Sequence, residues 1–466
     1  MMTKCARPAS LSLSVRNLIA ASLTGAALVA ATPEPAAAQT TLDLETARDL
    51  VPTLVAVGQP AAAREMALAL LARDPTNVPL LLALSRAEND LGNPEAAITA
   101  ARAAFVASTT HRERYSASLL MAQALAANDQ KFLAGIWLRR AADEATTEAE
   151  RARAVRDYHV VSGQSALGIQ IRGAVVPTDN VNNAPTTNRI TIGGLTFIDP
   201  SALPISGIER RLGIDLSYRL SEDDTLRTTM ILGADVLRVT LGQEAATIDP
   251  DLTADDLSRS GLRGGIGVEW APAGATGSYR LDLMTSVDVA DTTPVARSTW
   301  AEVRYRMPVR QSDAFWLGVG VRQTERLDDA LRGYDQASLS MGYSRALAGG
   351  RQLNLSLRHA ETVSDSYAVD GAETVVGAGL DLGEGWLGIG WSVSAELSQN
   401  QFDHALYAPQ PRQDIGVELG LSAVIGSAAY MGFAPEITVD WTRVQSNIPS
   451  FDTRGFRIGI GVVSSF

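Results

Sequence analysis

The sequence predicts an α plus transmembrane β protein: helical repeats followed by a 14-stranded antiparallel outer-membrane β-barrel. Three observations predict it. A glycine with an alanine five residues later recurs at a 34-residue spacing, Gly58 with Ala63 and Gly92 with Ala97. Near Gly163 the apolar periodicity changes from 3.6 to 2. The final segment, GFRIGIGVVSSF, alternates apolar and small or polar residues up to a terminal Phe466.

The first element is an export signal. Lys4, Arg7 and Arg16 precede the apolar run Leu18–Ala31, which is too short to span a bilayer as a helix. Pro33 and Pro35 then lead into Ala36, Ala37 and Ala38, so a signal peptide over 1–38 and a mature chain from Gln39 are expected. The sole cysteine, Cys5, falls inside that signal, so the mature chain would have no disulfide, thiolate metal site or cysteine nucleophile. No later segment offers about 20 consecutive apolar residues, so a membrane crossing would have to use strands. The net charge is −12, and because residues 1–38 carry three basic residues against Glu34, the mature chain is about −14; nucleic-acid binding is not indicated. Only two lysines occur, Lys4 and Lys131, so nearly all positive charge is arginine.

Residues 39–161 form the second element, rich in Ala, Leu, Glu and Arg at helical spacing. The Gly58/Gly92 spacing is that of a tetratricopeptide array; Leu84 and Pro75 fall near its small-residue and terminal-proline positions, and a looser third copy follows from Leu125. About three copies are needed before each pair's apolar face is covered. The array would offer a concave surface to a peptide or partner protein, or else serve as a rigid spacer. Tyr115 and Trp137 are read as core residues, and His111 and His159 have no cluster at metal-ligand spacing. No cofactor is expected.

Residues 162–466 form the barrel. Along Arg211–Leu220, Leu212, Ile214, Leu216 and Tyr218 alternate with Gly213, Asp215, Ser217 and Arg219, and the pattern recurs through fourteen candidate strands from 165–174 to 453–466. Short connections such as QSD and LAGG alternate with longer loops over 175–207, 239–259 and 397–411, as expected of periplasmic turns and extracellular loops. Tyr218, Trp270, Tyr279, Tyr305, Phe315 and Tyr343 share the apolar parity beside the short turns, as an aromatic girdle would, and Trp441 is a candidate for the other girdle. Phe466 looks like the C-terminal signal read by the barrel-assembly machinery.

The opposite parity supplies the lumen-facing candidates: Arg211, Arg219, Arg263, Arg280, Glu302, Arg304, Arg306 and Asp440. Facing lipid at mid-bilayer, each arginine would cost about 2–4 kcal/mol. Inside, these mixed charges imply water or a polar plug, and any one of them could equally be part of a structural ion-pair ladder. An enzyme would need a nucleophile, base and orienter. His359 and His404, the only histidines in this half, sit at or beyond strand ends in no recognisable motif, so no activity is expected.

Two segments, DNVNNAP (Asp179–Pro185) and SNIPSFDTRGFRIGIGVVSSF (Ser446–Phe466), together with helical repeats ahead of the barrel, resemble the surface lipoprotein assembly modifier family, the outer-membrane component of type XI secretion. The resemblance implies movement of specific cargo proteins, lipid-anchored or released, to the cell surface. It places the helices in the periplasm, where they would meet cargo or a chaperone, and surrounds the barrel with outer-membrane lipid. Asn180, Asn182 and Asn183 match the first motif, and Asn447, Ile448, Pro449 and Asp452 the second. Asparagine capping of turns and a proline-stiffened loop would account for both motifs as well as transport does. The alternatives are a polysaccharide-export barrel, against which a short array and a mixed-sign lumen argue, and a passive porin with a helical accessory domain.

Overall fold

The computed structural model describes residues 43–192, 194–385, 388–405, 408 and 410–464. The expected signal peptide and Phe466 lie outside them.

The helical region holds α1 (Leu44–Ala56), α2 (Pro60–Leu71), α3 (Val78–Asp90), α4 (Pro94–Ala107), α5 (His111–Ala127), α6 (Lys131–Glu144) and α7 (Glu148–Gln164), which continues past the expected boundary at 161. The repeat signature has a geometric basis. Gly58 and Gly92 have φ of +75° and +79°, and each follows a helix whose last turn is closed by a six-to-one bond, Gln59 N to Leu54 O and Asn93 N to Glu88 O. The third copy repeats this with Asp129 (φ +57°) in the glycine position and Gln130 N bonded to Leu125 O. That substitution is why the copy looks loose in sequence. Ala63, Ala97 and Ala134 follow the three turns at the same offset and are all fully buried, because the facing helix leaves no room for a larger side chain.

Caps fix the helix ends: Thr110 and Glu113 close a reciprocal capping box at the start of α5, and Thr147 caps α7. Tyr115, Leu119, Met121, Leu125 and Leu138 form the core of the last two hairpins, each fully buried apolar side chain being worth about 1.5–3 kcal/mol. Tyr115 also donates to Glu150 O at 3.2 Å, while Trp137 packs edge-on against Phe105.

In chain order the strands are β1 (Leu167–Thr178), β2 (Arg189–Ile192), β3 (Leu195–Ile198), β4 (Gly207–Glu222), β5 (Leu226–Leu241), β6 (Arg259–Trp270), β7 (Ser278–Ala290) and β8 (Thr293–Arg310). They continue with β9 (Asp313–Arg326), β10 (Tyr334–Ala346), β11 (Gln352–Ser364), β12 (Gly371–Glu384), β13 (Ile389–Phe402), β14 (Gln413–Ile425), β15 (Phe433–Ser446) and β16 (Thr453–Ser464). All but β2 and β3 close into one antiparallel barrel of fourteen strands, in which β1 pairs with both β4 and β16.

Three details depart from the sequence reading. The loop after β1 contains its own hairpin, β2 with β3. β7 and β8 extend until only Asp291 and Thr292 join them, so one connection on the long-loop side is a tight turn, which Asp291 permits by taking φ +51°. β13 runs to Phe402, well into the expected loop 397–411.

Registers carry the inside–outside pattern round the barrel. Ile171, Ile214, Ala234 and Leu262 lie side by side on one face, and Gly213, Asp235 and Gly261 on the other. The apolar row is solvent-exposed, as at Leu212 (51%), Leu262 (64%) and Ile460 (61%). An apolar surface encircling a closed sheet, with every internal strand paired, is what a bilayer requires and water disfavours. Trp270, Tyr279 and Tyr305 stack on adjacent outward positions beside the short turns, with centroids 5.5 and 4.7 Å apart, and Phe315 pairs with Tyr343 further round.

Candidate functional site

The candidate site is the lumen with its two mouths. The registers put Arg211, Arg219, Arg263, Arg280, Glu302, Arg304, Arg306 and Asp440 in the rows opposite the exposed apolar residues. Most are paired. Arg263 bridges Asp215 and, at 2.7 Å, Asp235. Arg280 meets Asp282 at 2.8 Å, Arg304 meets Glu302 at 2.6 Å, and Arg211 donates through Nε to Glu209 at 2.9 Å. Arg219 pairs with Glu222 at 2.5 Å and donates to the carbonyls of Gly163 and Ser165, tying the end of α7 to the wall. The side chains of Arg306 and Asp440 make no hydrogen bond or ion pair among the described residues.

Sequence reasoning missed Arg172, which pairs with Asp215 at 2.5 Å, and Asp235. The alternation of Ile169 and Ile171 with Gln170 and Arg172 could have revealed the former. It also missed how the lumen charges are sorted. The inward rows of β12–β15 carry Glu373, Asp381, Glu396, Glu418 and Asp440 and no basic residue, whereas the inward arginines crowd β4–β9. With the strand order observed, β14 lies across the barrel from β7. The β4–β9 wall is mixed in sign, its arginines paired with Asp215, Asp235, Asp282 and Glu302, whereas the β12–β15 wall is acidic and meets Arg358 and Arg457 only from its flanking strands. Arg304 and Arg322 lie over Trp316 and Trp300, 5.0 and 4.7 Å from the ring centroids.

At the long-loop mouth the two motif segments meet. Asn180 Nδ2 donates to Ala184 O at 2.8 Å and to Arg454 O at 2.9 Å, while its Oδ1 accepts from Ala184 N. Asp179 exchanges bonds with the main chain of Phe456, and Thr186 N donates to Asp452 O at 2.7 Å. Asn182 fixes the return of the same loop through Leu203 O and Ile205 N, and Asn183 takes φ +49° at the turn. Asn447 holds the neighbouring loop by Gln413 N and Pro411 O, Pro449 starts a short 3-10 turn, and Asp452 Oδ1 caps Ser446 N at 2.6 Å. These are main-chain-fixing roles, and they join β1 to β16.

At the short-turn mouth the helices dock on the barrel, which no sequence signal foretold. Arg139 on α6 donates to Gly432 O at 3.2 Å, to Ser464 Oγ at 2.9 Å and to Tyr158 OH at 2.8 Å, and lies between the Tyr158 and Phe433 rings. Asp143, one turn on, accepts from Met431 N at 3.3 Å. Met431 and Gly432 lie in the β14–β15 turn with φ +49° and +75°, which aims their polar groups outward at α6.

His359 points outward, 2.9 Å from Thr374 Oγ1, and His111 pairs with Glu144. No metal-ligating cluster occurs among the described residues.

A closed antiparallel barrel with an apolar exterior, a charged lumen and a helical region docked at its short-turn mouth belongs to the transmembrane β-barrel class. No protein-family model and no curated protein sequence matches the chain. Among solved structures it is similar to OccAB3 of Acinetobacter baumannii, with 9% identity and a TM-score of 0.34 over 63% of this chain and 98% of that one. It is similar also to Pseudomonas aeruginosa OprD, with 10% identity and a TM-score of 0.31 over 64% and 96%. A loop-deletion mutant of OmpT, an outer membrane protein of Vibrio cholerae, gives 10% identity and 0.33 over 64% and 98%. Similarity of that size leaves the function of this chain to its own residues.

Proposed function

We propose that this chain is an outer-membrane channel that moves specific cargo proteins to the cell surface, with its helical region in the periplasm recruiting cargo or a chaperoned cargo to the barrel mouth. The observation that carries the reading is the docking of α6 on the β14–β15 turn through Arg139 and Asp143. A recruiting surface held at the entrance raises the local concentration of whatever it binds there. The joining of the two motif segments at the opposite mouth is in keeping with the resemblance to surface lipoprotein assembly modifiers. The experiment removes residues 41–160 and follows surface exposure of neighbouring-gene products by protease shaving, alongside barrel abundance. Lost exposure at equal abundance supports recruitment, and undiminished exposure assigns the helices a spacer role.

A second reading, a passive porin, is favoured by one feature. A wall of paired arginines and carboxylates facing an acidic wall would pass and orient small polar solutes without any cargo. It predicts ion conductance that is insensitive to loss of the helices.

A further inference from the structure

Strand register sets like charges side by side on the outer face of the barrel. Arg443 on β15 lies directly opposite Arg454 on β16, and Arg210 on β4 lies directly opposite Arg238 on β5. All four are exposed and share the parity of the apolar exterior, one outward position beyond Trp441, Phe456, Leu212 and Val236 toward the long-loop end. Opposed like charges destabilise a sheet unless something neutralises them. β5, β4, β1, β16 and β15 are consecutive in the wall, and β1 brings no charge to its outward row, so the four arginines make one positive sector.

No group of the protein neutralises that sector among the described residues. The side chains of Arg443 and Arg454 make no hydrogen bond or ion pair among them. Arg210 donates to Thr240 Oγ1 at 2.9 Å, and Arg238 to the Leu237 and Arg259 carbonyls at 3.1 and 3.3 Å, all uncharged acceptors. Asp179, just past the end of β1, spends its carboxylate on Phe456 N at 2.7 Å. Elsewhere at this end the outward charges are balanced or negative: Arg297 lies opposite Glu325, and Asp335 and Glu361 follow on β10 and β11. Below the arginines, Trp441 faces Phe456, and the outward rows continue through Val439 with Ile458 and Ile437 with Ile460.

We propose that Arg443 and Arg454, reinforced by Arg210 and Arg238, bind the phosphates of an anionic glycolipid of the outer leaflet, whose acyl chains lie along the apolar rows of β15 and β16. This rests on the outer-membrane reading above, with the long loops outside, and not on cargo. Guanidinium groups recognise phosphate by charge-assisted hydrogen bonds, and an apolar wall directly beneath them selects an amphiphile over a free anion. The bound phosphate offsets the repulsion within the opposed pairs, so the lipid stabilises the wall where the last strand meets the first.

The test uses the full chain folded in detergent and reads the temperature at which the barrel converts to its heat-modified gel mobility. Lipid A carrying both phosphates should raise that temperature, and lipid A stripped of both should not. Arg443→Gln with Arg454→Gln should abolish the rise, Arg443→Lys with Arg454→Lys should keep part of it, and Arg297→Gln should keep all of it. Native mass spectrometry should show the glutamine variant retaining lipid A at least about tenfold less than wild type, as the loss of charge-assisted hydrogen bonds implies. Without lipid the glutamine variant should convert no lower than wild type, because repulsion is relieved. A lower temperature there would mean that the pair is satisfied within the protein and overturns the proposal. So does an equal rise with phosphate-free lipid or with inorganic phosphate, or a glutamine variant that still responds. Density-gradient fractionation of cells tests the outer-membrane reading separately, so failure of the site and failure of the localisation are distinguishable.

Discussion

The side-chain amide of Asn180 donates at 2.9 Å to the main-chain carbonyl of Arg454, 274 residues further along the chain, and so joins the first barrel strand to the last. Replacing Asn180 with Ala removes this bond and both bonds to Ala184 from a partly buried loop. A loss of about 1–3 kcal/mol is expected. The temperature at which the folded barrel converts to its heat-modified gel mobility should fall for Asn180→Ala. It should fall less for Asn180→Asp, which keeps the acceptor toward Ala184 N. Asn188→Ala on the same loop, where the side chain makes no hydrogen bond among the described residues, should leave it unchanged.

Arg139 links α6 to the barrel through the Gly432 carbonyl, the Ser464 hydroxyl and the Phe433 ring. Arg139→Ala should therefore leave the barrel heat-modifiable but render the helical region more accessible to protease added to spheroplasts. Arg140→Ala, whose guanidinium stacks on Phe105 and Trp137 within the helical region, should not. Equal sensitivity of the two variants would count against docking through Arg139.

Ile460 is outward, 61% exposed, and opposite Val175 and Ile437. Ile460→Arg puts a charge against lipid at a cost of about 2–4 kcal/mol near mid-bilayer. Outer-membrane levels of folded barrel should drop for Ile460→Arg and hold for Ile460→Val. Normal levels of both would argue that this face does not meet lipid.

Glu144 in the helical region gives a pH dependence. Burial by itself would push its carboxyl upward, but hydrogen bonds from Arg114 at 2.9 Å and contact with His111 at 2.7 Å hold it below the ordinary 4.5. Because the folded value lies below the unfolded one, the stabilisation is fully present above that ordinary value and is lost as pH falls through the lowered one. Thermal melts of the helical circular dichroism signal should shift downward on acidification from about pH 6 to about pH 3. The shift should be smaller in Glu144→Gln, and an identical pH response in that variant would remove Glu144 as the cause.

The class of the fold and the facing of its residues were legible in the sequence because period is a local property. A strand that alternates Leu212, Ile214 and Leu216 with Gly213 and Asp215 can bury only one face, whatever its neighbours are. The 34-residue spacing of Gly58 and Gly92 was legible for the same reason: a left-handed turn residue is required wherever that hairpin turns. The loose third copy hid only because Asp129 stands in that position. The tertiary structure alone decided the rest. Asn180 and Arg454, or Arg139 and Gly432, are brought together by closure of the barrel and docking of α6, and nothing in either local sequence specifies a partner some 270–290 residues away. The gathering of carboxylates on one wall was likewise hidden, since β12–β15 become neighbours across the lumen from β7 only once fourteen strands have closed a ring. Local sequence sets which way each side chain points, and ring closure sets what it points at.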